Sequence, residues 1–202
     1  MSTRSIERLE AEIRACRICV ERPLGSPLPQ EPRPVVRLSS CARICVAGQA
    51  PGTRVQASGV PFSDPSGERL RDWMGIGPEL FYDTDRVAIV PMGFCFPGLD
   101  ASGSDRPPRR ECREAWHERV FGQMPQLELI LPIGVYAQRF HLGAHNRKSV
   151  SETVAHWRDF LPGYLPLPHP SWRNSGWLKR NPWFEAEVLP YLRTEVRRLI
   201  AS

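Results

Sequence analysis

Four short apolar segments, each followed by a loop rich in glycine or proline, constrain the fold of this chain most. They lie at residues 43–48, 86–90, 127–133 and 164–167, and helical patterns separate them along the chain. Strands that alternate with helices are typical of a mostly parallel sheet covered on both faces. We therefore predict an α/β fold, a three-layer α/β/α sandwich around a central four-stranded, mostly parallel sheet.

The helices predicted around this sheet begin at the N-terminus, where Ile6, Leu9 and Ile13 recur at helical spacing. Further helices are predicted after Gly67, over 108–121 opened by proline, over 134–142, and from 182 to 199 with Asn181 as N-cap and a bend at Pro190. The Pro-rich stretch at 23–34 is predicted to wrap the domain as an irregular connection. Residues 1–202 then form one domain, in which 1–34 supply the first helix, a C-x-x-C pair and the wrap.

Composition narrows the class of protein. The chain has 202 residues, a net charge of +5 and six tryptophans, several of them beside Arg or Lys, which suits a nucleic-acid partner. No apolar run approaches the roughly 18 residues of a membrane span, and the N-terminus lacks the apolar core of a signal peptide. We expect a cytoplasmic protein, in which the six cysteines are poor candidates for disulfides.

The loops that follow the predicted strands carry the unusual chemistry. Because ligand sites of open α/β sheets form at the carboxyl ends of the strands, these loops are expected to converge. The first is Gly48-Gln49-Ala50-Pro51-Gly52, a rigid turn that lets backbone amides approach a ligand. Its ordinary alternative is a tight strand-to-helix turn.

The longer run that starts at this turn is GQAPGTRVQASGVPFSDPSGERLRDW, residues 48–73. It resembles the first motif of the family-four uracil-DNA glycosylases, which is written GEAPG and followed by G-x-P-F. The resemblance implies that Gly48, Ala50, Pro51 and Gly52 line the substrate pocket. It also implies that Phe62 stacks on a base flipped out of DNA, which needs an aromatic face to replace the stacking it gave up. A core phenylalanine after a proline turn is the alternative.

A second motif follows the fourth predicted strand: residues 169–174 read HPSWRN. The pattern HPS-x-R-N is similar to that of the single-strand-selective monofunctional uracil glycosylases. The resemblance implies that His169 donates to the uracil anion as it leaves, and that Ser171, Arg173 and Asn174 contact the substrate, with Arg173 as a wedge or minor-groove probe. A lone HPS is commonly structural, but two ordered motifs about 120 residues apart, as in the family, rarely arise by chance.

The cysteines form a third pattern, with Cys16-x-x-Cys19 followed by Cys95 and Cys112. It resembles the four-cysteine set that holds a [4Fe–4S] cluster in family-four enzymes, and the resemblance implies such a cluster here. Zinc would accept the same four ligands, and free buried cysteine is the remaining alternative. For Cys41 and Cys45, which lie outside this pattern, the interpretation as free cysteines is favoured.

The chain departs from the family at the groups that act on water and on the base edge. Gln49 replaces the glutamate of GEAPG, and Ala50 stands where other families carry a water-activating Asp or Asn. The asparagine that reads the uracil edge is missing from residues 91–94. Asp64 is the nearest carboxylate and is predicted to orient the water, or instead to cap the following helix. Gln49 is predicted to assist through its backbone amide or side-chain oxygen.

Together, these resemblances imply a uracil-DNA glycosylase-like domain and a hydrolase of base-excision DNA repair. We expect a monofunctional DNA glycosylase, active as a monomer on DNA that contains uracil or another deaminated or damaged base, without a membrane partner. One alternative is a non-catalytic nucleic-acid-binding protein with the same fold and a metal cluster. Another is a metal-cluster protein whose pocket takes a small nucleobase or nucleotide.

Overall fold

The structure, a computed structural model, describes residues 3–201. Its sheet has three parallel strands, β1 (Ile44–Ala47), β2 (Val87–Ile89) and β3 (Leu129–Pro132), in the order β2–β1–β3. Ile44 pairs with Val87 on one side and with Leu129 on the other. The predicted α/β class and parallel pairing are confirmed.

Ten α-helices occur within residues 3–201. They are α1 (Thr3–Arg14), α2 (Ile18–Glu21), α3 (Thr53–Ser58), α4 (Pro65–Met74), α5 (Pro78–Tyr82), α6 (Arg110–Phe121), α7 (Gly134–Leu142), α8 (Val150–Ala155), α9 (Ser175–Arg180) and α10 (Leu189–Ile200). Short 3₁₀ turns lie at Gly143–His145, Trp157–Phe160 and Trp172–Asn174, and a π-helical turn lies at Phe184–Val188. None of the helices in this described range is long and apolar enough to cross a membrane.

The strands bury both of their faces, because alternate residues enter two different cores. Ile44 and Val46 pack into a core built with α4, α5 and α10, whereas Cys45 packs into a core built with α1 and α6. All four residues of β1 are buried. The sheet is therefore the middle layer between two layers of helices, as predicted.

The prediction of a fourth strand at 164–167 is wrong in detail. This segment runs beside β3 and makes two isolated parallel bridges, Ile130 with Tyr164 and Ile133 with Leu167. Leu165 N donates to Ile130 O at 3.0 Å, and Leu167 N donates to Pro132 O at 3.1 Å. Between these bonds Pro132 has no N–H to donate, so the ladder is interrupted and no continuous strand forms.

Three helix boundaries also differ from the predictions. Helix α4 begins before Gly67, and α6 begins at Arg110, two residues after the proline expected to open it. Asn181 does not cap the last helix: its side-chain amide donates to Trp177 O at 2.8 Å and closes α9. Pro190 cannot donate to the carbonyl one turn earlier, and the chain widens into the π-helical turn just before it.

The N-terminal segment packs against the rest of the chain. Ile6, Leu9 and Ile13 of α1 are buried in the core shared with α6, which confirms the first predicted helix. Residues 23–34 contain neither helix nor strand, as their prolines predicted. Beyond them, Arg37 exchanges two backbone hydrogen bonds with Ile89, both 2.9 Å, and so covers the outer edge of β2.

Helix α6 also buries a histidine, His117. Its ring stacks on Phe94 at a centroid distance of 5.6 Å, and Nε2 lies 3.1 Å from the carbonyl oxygen of Pro91. Nδ1 is buried and has no hydrogen-bond partner among residues 3–201. The pKa of His117 is lowered to about 4, mainly by burial and also by the charge of nearby Arg113, which together outweigh the hydrogen bond to Pro91.

This histidine predicts acid sensitivity. In the unfolded chain His117 is protonated near pH 6.5, whereas in the folded chain it is protonated only near pH 4. The unfolded state therefore binds more protons between these values, and the folded state loses stability as pH falls through this window. Between about pH 7 and about pH 5 the loss from His117 is about 2 kcal/mol. His117→Gln, which keeps a donor for Pro91 but cannot titrate, should flatten the pH dependence of urea unfolding. The control variant His145→Gln, a change at an exposed histidine, should keep the pH dependence of the wild type. If the free energy of unfolding depends on pH equally in the wild type and both variants, the prediction is contradicted.

Candidate active site

The turn after β1 is locked to the segment after β2. Met92 N donates to Gly48 O and Gly93 N donates to Gln49 O, both at 2.9 Å. The Gln49 side chain lies against the turn that opens α7, where a Cβ on Gly134 would stand 3.2 Å from Gln49 Nε2. The ends of all three strands therefore meet at the Gly48–Gly52 turn, as predicted from their position at the carboxyl edge of the sheet.

Phe62 lies over this turn in a strained backbone conformation. It is the one non-glycine residue within 3–201 with a positive φ, 53°. A Cβ on Gly48 would lie 3.3 Å from the tip of the Phe62 ring, so the ring rests directly on the turn. Phe62 O accepts hydrogen bonds from Arg71 at 3.1 Å and from the Tyr82 hydroxyl at 3.2 Å. Strain held in place by such contacts is typical of functional positions.

Gly67 makes this placement possible. A Cβ there would overlap the carbonyl oxygen of Phe62 at 1.8 Å, so no other residue type fits without moving the loop. Phe62 is only half-buried: it packs against the main core and also lines the cavity beside the turn. An aromatic side chain is therefore present in the lining of that cavity.

His169 is held as a neutral hydrogen-bond donor. The backbone N–H of Ser171 donates to His169 Nδ1 at 3.1 Å, so Nδ1 is the acceptor and the ring proton lies on Nε2. Burial lowers the pKa of His169, against the opposing charges of Asp64 and Asp105. The Asn174 amide donates to His169 O at 2.7 Å and fixes the loop. Asn174 thus holds the histidine loop as well as lining the site.

Asp64 caps helix α4, the second of its two predicted roles. Its Oδ1 accepts from Gly67 N at 3.1 Å and from the Ser66 hydroxyl at 2.6 Å. The same residue lines the pocket beside His169. One carboxylate oxygen is therefore committed to the helix cap, and the predicted role on the water remains a prediction.

The predicted site residues gather in two adjoining cavities, the inner pocket and the outer cleft. The inner pocket is lined by Gly48, Gln49, Ala50, Pro51, Gly52, Phe62, Asp64 and His169. The outer cleft shares three of these and adds Ser171, Arg173 and Asn174, together with Arg54 and Trp172. Trp172 is 70% exposed, with the Arg173 guanidinium 5.9 Å from its ring centroid. Two motifs that are far apart in the sequence thus form one continuous cleft.

The four predicted cysteine ligands line a third cavity, the cysteine pocket, formed by Cys16, Cys19, Cys95 and Cys112. None of them is in a disulfide. Trp116 Nε1 donates to Cys16 Sγ at 3.3 Å. The backbone N–H of Phe94 donates to Cys112 Sγ, also at 3.3 Å. Burial raises the pKa of Cys19 to about 11 and of Cys95 to about 12, so both are thiols without a metal. Within 3–201, no three His, Cys, Asp or Glu side chains are arranged as ligands of a single metal ion.

A family model described as the uracil DNA glycosylase superfamily matches residues 37–193, more than half of the 202-residue chain. The chain belongs to the uracil-DNA glycosylase superfamily. Members of this superfamily are DNA glycosylases. Among solved structures, that of wild-type SMUG2 from Pedobacter heparinus is similar, with 15% identity, coverage of 79% of this chain and 75% of that chain, and a TM-score of 0.39.

The region matched by the superfamily contains the whole outer cleft and every residue that lines the inner pocket except Val35, but it does not contain the whole cysteine pocket. Cys16 and Cys19 precede residue 37, whereas Cys95 and Cys112 lie inside the matched range. Membership of the superfamily therefore does not by itself assign the chain to the iron–sulfur branch.

One carboxylate of the cleft was not indicated by either superfamily motif. Asp105 lines both the inner pocket and the outer cleft, and its Oδ2 lies 3.6 Å from the position of a Cβ on Gly52. Partial burial raises the pKa of Asp105, and the positive charge of nearby Arg173 opposes this shift. No hydrogen bond to this carboxylate occurs within residues 3–201, in contrast to Asp64.

The loop that carries Asp105 is tightly folded on itself. Asp100 Oδ1 accepts hydrogen bonds from Ser102 N at 2.8 Å and from Ser104 N at 3.0 Å, and Leu99 forms an antiparallel bridge with Asp105. The run Asp-Ala-Ser-Gly at residues 100–103 is a recognisable turn signal, and it predicts the hairpin but not the position of the hairpin on the rest of the fold. Only the packing of this loop on the Gly52 turn brings Asp105 into the cleft.

Proposed function

We propose that this protein is a monofunctional DNA glycosylase that removes uracil, or a related deaminated base, by hydrolysis of the N-glycosidic bond. The observation that carries the proposal is the presence of a neutral Nε2–H donor on His169 and the aromatic ring of Phe62 in the lining of one pocket. Such a pocket offers stacking to a flipped base and a hydrogen bond to the base as it leaves.

In this mechanism the bond between the base nitrogen and C1′ of the sugar breaks, and its electron pair leaves with the base. Negative charge then develops on the base oxygen that faces His169, where the Nε2–H hydrogen bond becomes stronger than in the ground state. The sugar becomes an oxocarbenium-like cation. Because Ser171 N holds Nδ1 as an acceptor and burial lowers the pKa of His169, the ring stays neutral with its donor in place.

A water molecule completes the reaction by adding to C1′ and passing a proton to a carboxylate. Asp64 and Asp105 both lie in the inner pocket. Asp105 is the better placed of the two to accept this proton, because no hydrogen bond occupies its carboxylate within the described residues and its pKa is raised. The negative charge of either residue would stabilise the cationic sugar.

The reaction is proposed to stop at the abasic site. Among residues 3–201, the inner pocket and the outer cleft have no lysine in their lining, so no amine is placed to form a Schiff base with the sugar. DNA is the proposed partner, since Arg54 and Arg173 add positive charge to the outer cleft around exposed Trp172.

The proposal is tested with oligonucleotides that carry uracil, hypoxanthine or xanthine, single-stranded and in duplex. Formation of an alkali-labile abasic site and release of the free base are expected for at least one of them.

The second candidate, a nucleic-acid-binding protein without hydrolysis, is favoured by Gln49 and Ala50, which replace acidic or amide groups of related motifs. DNA binding without base release from any of these substrates would establish that second function.

Phe62→Leu should weaken binding of a flipped base while the protein remains folded. Leucine keeps most of the apolar volume but loses the aromatic face, whose stacking on a base is worth about 1–3 kcal/mol. The preference for uracil-containing over undamaged oligonucleotide should fall about tenfold or more, measured as a ratio of Kd values with a slowly cleaved substrate. Phe81→Leu, a change in the ring that contacts Phe62 edge-on at 6.0 Å, is the control for packing. An unchanged ratio in Phe62→Leu would exclude stacking.

We also propose that the chain belongs to the iron–sulfur branch of the superfamily and that the cysteine pocket holds a [4Fe–4S] cluster. The four thiols fit this group by number and kind, and N–H groups of Trp116 and Phe94 donate to two of the sulfurs. A bound cluster would supply a covalent tie between the N-terminal C-x-x-C segment, the loop after β2 and helix α6. Its proposed role is structural.

Protein purified without oxygen should contain about four iron atoms per chain and absorb in the thiolate-to-iron charge-transfer region. Cys112→Ser should lose most of this iron, whereas Cys41→Ser, a change at an exposed cysteine outside the pocket, should retain it. Zinc in place of iron would preserve the ligand set but contradict the cluster. A protein free of both metals would contradict the whole site.

A further inference from the structure

A further cavity, the arginine pocket, lies between the segment after β2 and helices α6 and α7. Four arginines line it, three from the start of α6 and one from α7: Arg109, Arg110, Arg113 and Arg139. Tyr136 of α7 lines it as well. No acidic side chain within residues 3–201 forms part of this lining, so the pocket concentrates positive charge.

Two of these arginines are neutralised by carboxylates on their own helix, and two are not. Arg109 Nε pairs with Glu111 at 2.9 Å, and Arg110 Nε pairs with Glu114 at 2.6 Å. Arg113 instead lies 5.4 Å from the ring centroid of Phe140, and neither it nor Arg139 has an ion-pair partner in the described part of the chain. The pocket therefore keeps two uncompensated cations, one of them held in place by an aromatic ring.

Helix α6 adds to the field in this pocket. It has 12 residues, and no side chain caps its N-terminus at Arg109. The helix dipole at such an end favours an anion, an effect partly offset by the Glu111 carboxylate in the first turn, and guanidinium groups are suited to bind a phosphate with two parallel hydrogen bonds. Free guanidinium groups and an uncapped helix end thus favour the same kind of ligand.

The position of the arginine pocket connects it with the site of base removal. Pro91 lines the inner pocket, and the next residue, Met92, lines the arginine pocket. After β3, Tyr136 lies two residues beyond Gly134, against which the Gln49 side chain packs. The two pockets are therefore lined by consecutive residues of the segment after β2, and a DNA strand with one base in the inner pocket carries further phosphates on either side of that base.

We infer that the arginine pocket binds a phosphate group, and that its occupant is a backbone phosphodiester of the DNA strand whose base enters the inner pocket. This inference rests on the proposed function for the choice of ligand. Phosphate contacts position a nucleic acid without reading its sequence, so the interaction is independent of the base. Arg113 and Arg139 are the residues that make it.

The test uses an undamaged single-stranded oligonucleotide, so that its outcome does not depend on whether uracil is excised. The Arg113→Gln/Arg139→Gln double variant should bind about fivefold more weakly at about 0.1 M salt, and the slope of log K against log salt should be shallower by about 0.7 for each phosphate that is no longer bound. Arg139→Gln alone, a change at an exposed side chain, should show part of the effect without risk to folding. Arg197→Gln is the matched control.

Arg197 is a suitable control because it is an exposed arginine of α10 at the opposite edge of the sheet. The C-terminal end of α10 contacts the residue just before β2, because Arg86 donates a hydrogen bond to Ile200 O at 2.7 Å. Equal affinity and equal salt dependence in the wild type and the double variant would overturn the inference. If inorganic phosphate binds through the two arginines but the oligonucleotide does not, the assignment to the DNA strand is overturned.

Discussion

His169→Ala is expected to lower the rate of uracil excision at least a hundredfold under single-turnover conditions. The variant removes the one neutral ring N–H held toward the inner pocket, and the loss of one such donor to a developing anion costs about a hundredfold to a thousandfold. The ring is half-buried and, within the described part of the chain, makes one hydrogen bond, from Ser171 N at 3.1 Å, so little of the fold depends on it. The melting temperature should therefore stay close to that of the wild type.

A matched pair of variants separates donation from positioning. Asn174→Ala removes the hydrogen bond to His169 O but leaves the imidazole intact, so the rate should fall less than in His169→Ala. His156→Ala changes an exposed histidine of the surface and should leave the rate unchanged. Wild-type excision by His169→Ala would remove this residue from the mechanism and favour a protein that binds DNA without hydrolysing it.

The parts of the fold that could be predicted from sequence are those fixed by local pattern. The apolar runs around Ile44, Val87 and Leu129 indicated strands buried on both faces, and parallel strands bring their following loops to one edge. This is why Gly48 and His169, far apart in the sequence, were expected in one site. Apolar pattern alone could not reveal that Pro132 lacks the N–H needed to complete a fourth strand.

The parts that could not be predicted depend on packing between distant segments. The aromatic type of Phe62 was evident from its motif, but its positive φ depends on Arg71, Tyr82 and the absence of a side chain at Gly67. Asp64 carried two predicted roles, and only the structure shows its Oδ1 in the helix cap. Asp105 belongs to no motif, because its place in the cleft depends on how a surface hairpin packs.

Asp105→Asn is expected to lower the excision rate about a hundredfold, the usual effect of losing a general base. Asparagine has nearly the same shape, so the hairpin pinned by Asp100 should keep its fold, but the amide cannot accept a proton from water or stabilise a cationic sugar. Asp64→Asn serves as the internal comparison, because its amide oxygen can still accept from Gly67 N and Ser66. Asp72→Asn, at an exposed carboxylate of α4, controls for the change in net charge.

The pH dependence of the rate distinguishes a base from a structural residue. A carboxylate that accepts the proton must be ionised, so activity should be lost as pH falls through the pKa of Asp105. Partial burial raises that pKa, and the acid limb should therefore lie above the ordinary value of about 3.9 for Asp. In Asp105→Asn the residual rate should lose this limb. If Asp64→Asn instead shows the hundredfold loss and Asp105→Asn behaves as wild type, the water is held by the helix-capping carboxylate. In that case the unoccupied carboxylate of Asp105 plays no part in the attack on C1′.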